Sequence, residues 1–126
     1  MNYIETLKAL EDGSLDPRSF SHKDHLGVAF EALKKFDFFE ASHRVARGLQ
    51  QVTQTAGVPE KFNATVTHAF MSVIAERCAM TEFKDAETFL DSNADLLEAR
   101  YLSGLFSKEL LASDLAKTVA LRPDVT

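Results

Sequence analysis

Apolar residues recur along this chain at the three-and-four spacing that winds them onto one side of an α-helix, and no stretch alternates with the period of a strand. Ile4, Leu7 and Leu10 make the first such run. They predict a short helix over residues 2–12, ended by Gly13 and Pro17 and lying across the rest as a cover. The segment Phe20-Ser21-His22-Lys23-Asp24 reads as a helix start, with Ser21 as cap, Asp24 completing a capping box and Phe20 preceding the cap. The helix it opens runs to about Lys35 and carries Leu26, Ala29, Leu33 and Phe36 on its apolar side. Asp37 with Glu40 repeats the signal for a third helix to Thr55. Phe38, Ala41, Val45, Leu49 and Val52 share one side of it, Glu40, Arg44, Arg47 and Gln51 the other, and Gly57 closes it.

Val58-Pro59-Glu60 opens the most apolar stretch, a helix expected over residues 60–80. The wide sector made by Phe62, Val66, Ala69, Phe70, Val73 and Ile74 predicts that this is the central helix, touched on several sides. Shorter helices follow over residues 84–92, 94–105 and 107–119, with capping serines at Ser107 and Ser113. The expected fold is all-α: a single domain over residues 1–126, folded as a compact bundle of about five to six helices.

Composition narrows the function classes without choosing one. A chain of 126 residues buries enough surface to fold without disulfides or a structural metal, so a bound ion would serve function. The 45% hydrophobic and 26% charged residues exclude disorder, and no apolar run is long enough to span a bilayer. With a net charge of -5 and scattered Lys and Arg, neither nucleic acid nor an anionic membrane is an expected partner. The N-terminal residues lack a secretory pattern and Cys78 is the lone cysteine, which makes a reducing cytoplasm the expected location. A small-molecule ligand and a homodimer remain as expected partners.

The candidate chemistry lies at the start of the second helix. At about 100° per residue, His22 and His25 fall at the centre and one margin of its apolar sector, so both rings are expected to point inward. The first helical turn disfavours a protonated imidazole, and a neutral ring can ligate a metal or act as a base. On the helix expected over 60–80, Asn63 and Thr67 flank the apolar sector and Thr65 lies between them, a polar set that could meet the imidazoles in one pocket. A transition metal wants at least three donors, and neither a His-Glu-x-x-His motif nor paired Glu-x-x-His units occur. A mononuclear divalent metal site at His22 and His25, completed from another helix, is the economical metal hypothesis. In the catalytic version, one histidine is ligand or general base and the other orients it, while Asn63, Thr65 and Thr67 bind ligand.

A competing expectation needs no chemistry. His25 at the fourth helical position can pack on Phe20 as a hydrophobic staple, leaving the histidines as fasteners. Function would then lie on an outer apolar patch around Phe36, Phe38 and Phe39, suited to dimerisation or a partner. His43 belongs to a charged face and His68 to the side opposite Asn63 and Thr67. Glu76 borders the apolar sector and reads either as a carboxylate ligand or, in preference, as a solvated salt-bridging group, and Cys78 reads as a packed thiol. No Gly-x-Ser-x-Gly elbow supports serine catalysis.

Three segments together carry a family resemblance: Phe20-Ser21-His22-Lys23-Asp24-His25-Leu26, Phe62-Asn63-Ala64-Thr65-Val66-Thr67, and Asn93-Ala94-Asp95-Leu96-Leu97 with the later Phe106-Ser107-Lys108-Glu109-Leu110. With them the chain resembles a group of small bacterial all-helical proteins of unassigned activity. The resemblance spans nearly the whole chain and implies the helical fold and the importance of this corner. Some of those proteins carry His where this chain has Asn63, and the amide weakens a three-histidine metal site here.

Overall fold

The computed structural model describes residues 2–126, and among them every regular element is helical. Helix α1 spans Tyr3–Asp12, α2 His22–Lys35, α3 Phe38–Thr55, α4 Ala64–Met80, α5 Ala86–Ser92, α6 Ala99–Ser103, α7 Lys108–Ala112 and α8 Asp114–Thr118. Short 3-10 turns at Pro17–Ser19, Pro59–Lys61 and Ala94–Leu97 join them. No helix is long and apolar enough to cross a membrane.

The start of α2 follows its local code. The Asp24 N–H donates to Ser21 Oγ at 3.2 Å and the Ser21 N–H donates to Asp24 Oδ2 at 2.9 Å, the reciprocal pair of a capping box. Asp37 caps α3 through the Glu40 N–H at 2.9 Å. The start of α4 departs from the expected residue 60. Pro59 begins a 3-10 turn, Phe62 is extended, and Asn63 is the cap, its Oδ1 accepting the Val66 N–H at 3.0 Å. A side-chain cap outweighs a proline that merely tolerates the first helical position.

Beyond residue 92 the expected longer helices are broken in two. Ser113 Oγ accepts the Ala116 N–H at 3.1 Å and donates to the Leu110 carbonyl at 2.7 Å, so it ends α7 and begins α8. Ala94–Leu97 likewise forms a 3-10 turn before α6.

The centre of the bundle is α2, which packs on α1, α3, α4 and α5. Its stretch from Leu26 to Phe30 is buried throughout, whereas α4 spends part of its apolar sector on solvent, with Met80 83% exposed. One contiguous core joins these helices through Leu10, Leu26, Met71, Ile74, Phe89 and Leu96. Helix α1 covers α2 and α3 as expected, close enough to need glycine beneath it. A Cβ at Gly27 would stand 2.5 Å from the Tyr3 ring, and one at Gly48 would stand 2.4 Å from Leu10 Cγ. Arg44 fastens the same corner: it donates to Glu11 at 2.7 Å and to Glu40 at 3.1 Å, with its guanidinium 4.2 Å from the Phe36 ring centre.

The chain beyond α8 has no regular secondary structure but is tethered. The Asp124 carboxylate accepts the Ser107 N–H at 2.7 Å and the Ser107 hydroxyl at 2.6 Å, while the Asp124 and Val125 N–H groups donate to the Leu105 carbonyl.

Candidate functional site

His22 and His25 occupy the first turn of α2, and their ring centres lie 6.3 Å apart with planes inclined by 58°. Their environments differ. His25 is half-buried and lies 4.4 Å from the Phe20 ring at 30°, the staple that the cap spacing anticipates. His22 is not turned wholly inward as expected; the residue is exposed at the rim, with the edge of its ring on Phe70 at 5.0 Å. Its Nε2 sits 3.1 Å from the Leu96 carbonyl oxygen. A carbonyl only accepts, so Nε2 carries the proton and, in the neutral ring, Nδ1 is left as an acceptor.

Burial pushes the His25 pKa down from 6.5 to about 4; the neighbouring His22 adds to the effect and Asp24 opposes it. The ring is therefore neutral at physiological pH. No protein hydrogen bond reaches either ring nitrogen among the described residues, and the same holds for the Thr67 hydroxyl; neither is sealed from solvent, whereas Ser42 Oγ is both buried and unpartnered. Both groups border a cavity of about 50 Å³ between α2, α3 and α4, whose remaining wall is largely apolar: Leu26, Val45, Leu49, Phe70 and Met71.

Two of the five expected site residues face elsewhere. Asn63 lines no part of this cavity, because its Oδ1 caps α4 and its Nδ2 donates to the Leu111 carbonyl at 2.9 Å. Thr65 is fully buried on another side of α4. Its hydroxyl is shared between the carbonyls of Ala116 at 2.9 Å and Val119 at 2.7 Å, and it accepts the Leu121 N–H at 3.1 Å. For Thr65 the cause is helical geometry, since it lies two residues from Thr67 and residues two apart on a helix point to nearly opposite sides; for Asn63 it is the capping role itself. Thr67 alone of the three meets the imidazoles.

The divalent-metal expectation loses its third donor. Among the described residues no three His, Cys, Asp or Glu side chains converge as a metal-binding group. Glu76 is exposed, the Asn63 amide is engaged elsewhere, and His22 Nε2 is committed to Leu96. His43 and His68 are exposed, with His68 against the edge of Phe38 at 6.2 Å. Cys78 is half-buried, and burial raises its thiol pKa, which makes it a poor nucleophile.

What sequence reasoning missed is the support behind His22. Arg77 of α4 donates to both carboxylate oxygens of Asp95 at 2.8 Å and to Asn93 Oδ1 at 2.9 Å. Asn93 in turn donates to the Phe89 carbonyl at 2.8 Å, and its own carbonyl accepts the Leu96 N–H at 3.1 Å. The Asn93–Leu97 motif was visible in the sequence, but a main-chain acceptor has no residue type to mark it.

Comparison with protein-family models, curated proteins and solved structures gives no match to this chain.

Proposed function

We propose that the protein is a small-ligand-binding helical module whose pocket is formed by His22, His25 and Thr67. The observation that carries this is that the His25 ring and the Thr67 hydroxyl, neither with a protein hydrogen bond, line one small cavity between α2, α3 and α4. A neutral imidazole and a hydroxyl each offer a donor and an acceptor, so an occupant that both donates and accepts hydrogen bonds suits the pair.

Size sets the class of occupant. A cavity of about 50 Å³ is far below the ~300–1,000 Å³ of drug-sized pockets, yet it exceeds the ~10–15 Å³ that one water needs. Ordered water or a neutral polar molecule of about three non-hydrogen atoms fits those limits. A general base works best with a pKa near the working pH, and His25 at about 4 is poorly matched to that task. Hydrogen bonding, not proton abstraction, is thus the role assigned to His25. The family resemblance belongs to the same proposal, since its first two motifs contribute the three pocket residues.

Formamide has the required size and both hydrogen-bonding functions, so it is the probe. Titration into the ¹⁵N-labelled protein is expected to give saturable shifts confined to His22, His25, Thr67 and their neighbours, which His25→Phe abolishes. Linear, dispersed shifts would refute the pocket. A second reading, a noncatalytic interaction module with fastening histidines, is favoured by Phe39, 82% exposed at the start of α3. Failure of the titration combined with a purely destabilising effect of His22→Ala and His25→Ala would select it. Its patch is smaller than expected, because Phe36 lies against Lys35 and Arg44 and Phe38 is half-buried.

A further inference from the structure

The His22 ring is held by a carbonyl, and that carbonyl is held by a network reaching back to α4. Leu96 lies within the 3-10 turn Ala94–Leu97, a four-residue element without side-chain capping of its own. Such a turn has few internal hydrogen bonds to hold it in place. Two attachments fix it instead: the fully buried Leu96 side chain, and the grip of Arg77 on Asn93 just before the turn and on Asp95 within it. The Arg77–Asp95 pair is bidentate, the geometry that adds directional specificity to charge. Each partner favours the other's charged form: Asp95 raises the Arg77 pKa and Arg77 lowers that of Asp95.

We propose that Arg77 and Asp95 are positioning residues of the pocket, fixing the Leu96 carbonyl so that His22 is held in one orientation as the Nε2–H tautomer with Nδ1 free to accept. The inference deepens the ligand-pocket proposal, but its structural content stands without any ligand. Asn93 is the link: its amide spans from Arg77 to the Phe89 carbonyl and ties the end of α5 to α4. A lysine at position 77 keeps the charge but cannot offer two parallel donors to Asp95 while also reaching Asn93.

The test reads His22 directly in the full chain. Long-range ¹H–¹⁵N imidazole spectra, recorded at about pH 9 where imidazoles are neutral, are expected to show His22 as a single Nε2–H form with a proton slow to exchange with water. In Asp95→Asn and Arg77→Lys, exchange of that proton should rise roughly tenfold, the scale of losing one hydrogen bond's worth of population. The ¹⁵N shifts should move toward a tautomer mixture. Removing the neighbouring exposed pair through Glu98→Gln should change neither, although it too breaks an ion pair in this stretch. Asp95 is more than half exposed, so the asparagine variant is expected to fold, as circular dichroism will establish. A folded Asp95→Asn protein with unaltered His22 exchange and shifts would overturn the proposal, and so would an equal response to Glu98→Gln. Formamide plays no part here, so failure of the titration leaves this outcome readable on its own.

Discussion

His25 is the residue whose chemistry the fold changes most. Its folded pKa, near 4, lies below the unfolded value of 6.5, so between those values the unfolded chain binds more protons than the folded one. Stability therefore falls as pH is lowered through that window and is level above it. Partial exposure limits the loss to at most about 3 kcal/mol. Urea denaturation at pH 7 and pH 4.5 is expected to give a lower midpoint at the acid value, and His25→Phe, which keeps a ring on Phe20, should remove this component of the difference. An unchanged pH slope in that variant would mean that His25 does not titrate as described. One turn earlier, the main chain of a distant segment claims one ring nitrogen of His22.

At the scale of helices, local signals were legible and distant ones were not. The capping box at Ser21 and Asp24 and the cap at Asp37 involve residues three apart, and each formed where the residues indicated. The start of α4 was misread because Pro59 and Asn63 both signal a beginning, and only the cap's hydrogen bond decides between them. That four-residue displacement explains much of the error at the site, for a capping amide is no longer free to line a pocket. The helix expected over residues 107–119 failed for a similar reason, since Ser113 satisfies backbone groups on both sides of itself. The seat of α1 was readable as a cover but not in its closeness, which depends on glycine at positions 27 and 48. Gly48→Ala tests it. Helix propensity favours alanine by roughly 1 kcal/mol, but the new Cβ would meet Leu10, itself only 1% exposed and unable to withdraw. Overpacking costs about 1–3 kcal/mol. A net loss is expected in thermal denaturation, accompanied by faster amide exchange in α1; a stabilised variant would show that α1 yields easily.

Across the whole molecule, segments far apart in sequence meet at several junctions, and two of them bear on the site and on the chain's final segment. One joins α2 to the Ala94–Leu97 turn through His22 and Leu96; the other joins α4 to the C-terminal arm through Thr65. Neither was legible, because in both cases a side chain meets main-chain atoms, which every residue possesses. Thr65→Val keeps the shape and removes the hydroxyl, leaving two carbonyls and one N–H without that partner. A cost of about 1–3 kcal/mol is expected. Hydrogen exchange should quicken over residues 113–126 and leave α2 unaffected, whereas uniform acceleration would deny the arm a separate attachment.

The Thr65 junction also bears on how the molecule is completed. A chain made from its first residue presents α1 to α4 before the segment around Ala116, Val119 and Leu121 exists. Until that segment emerges, water must serve the Thr65 hydroxyl. Sealing the first turn of α4 against solvent then waits on a segment that is synthesised some fifty residues after it.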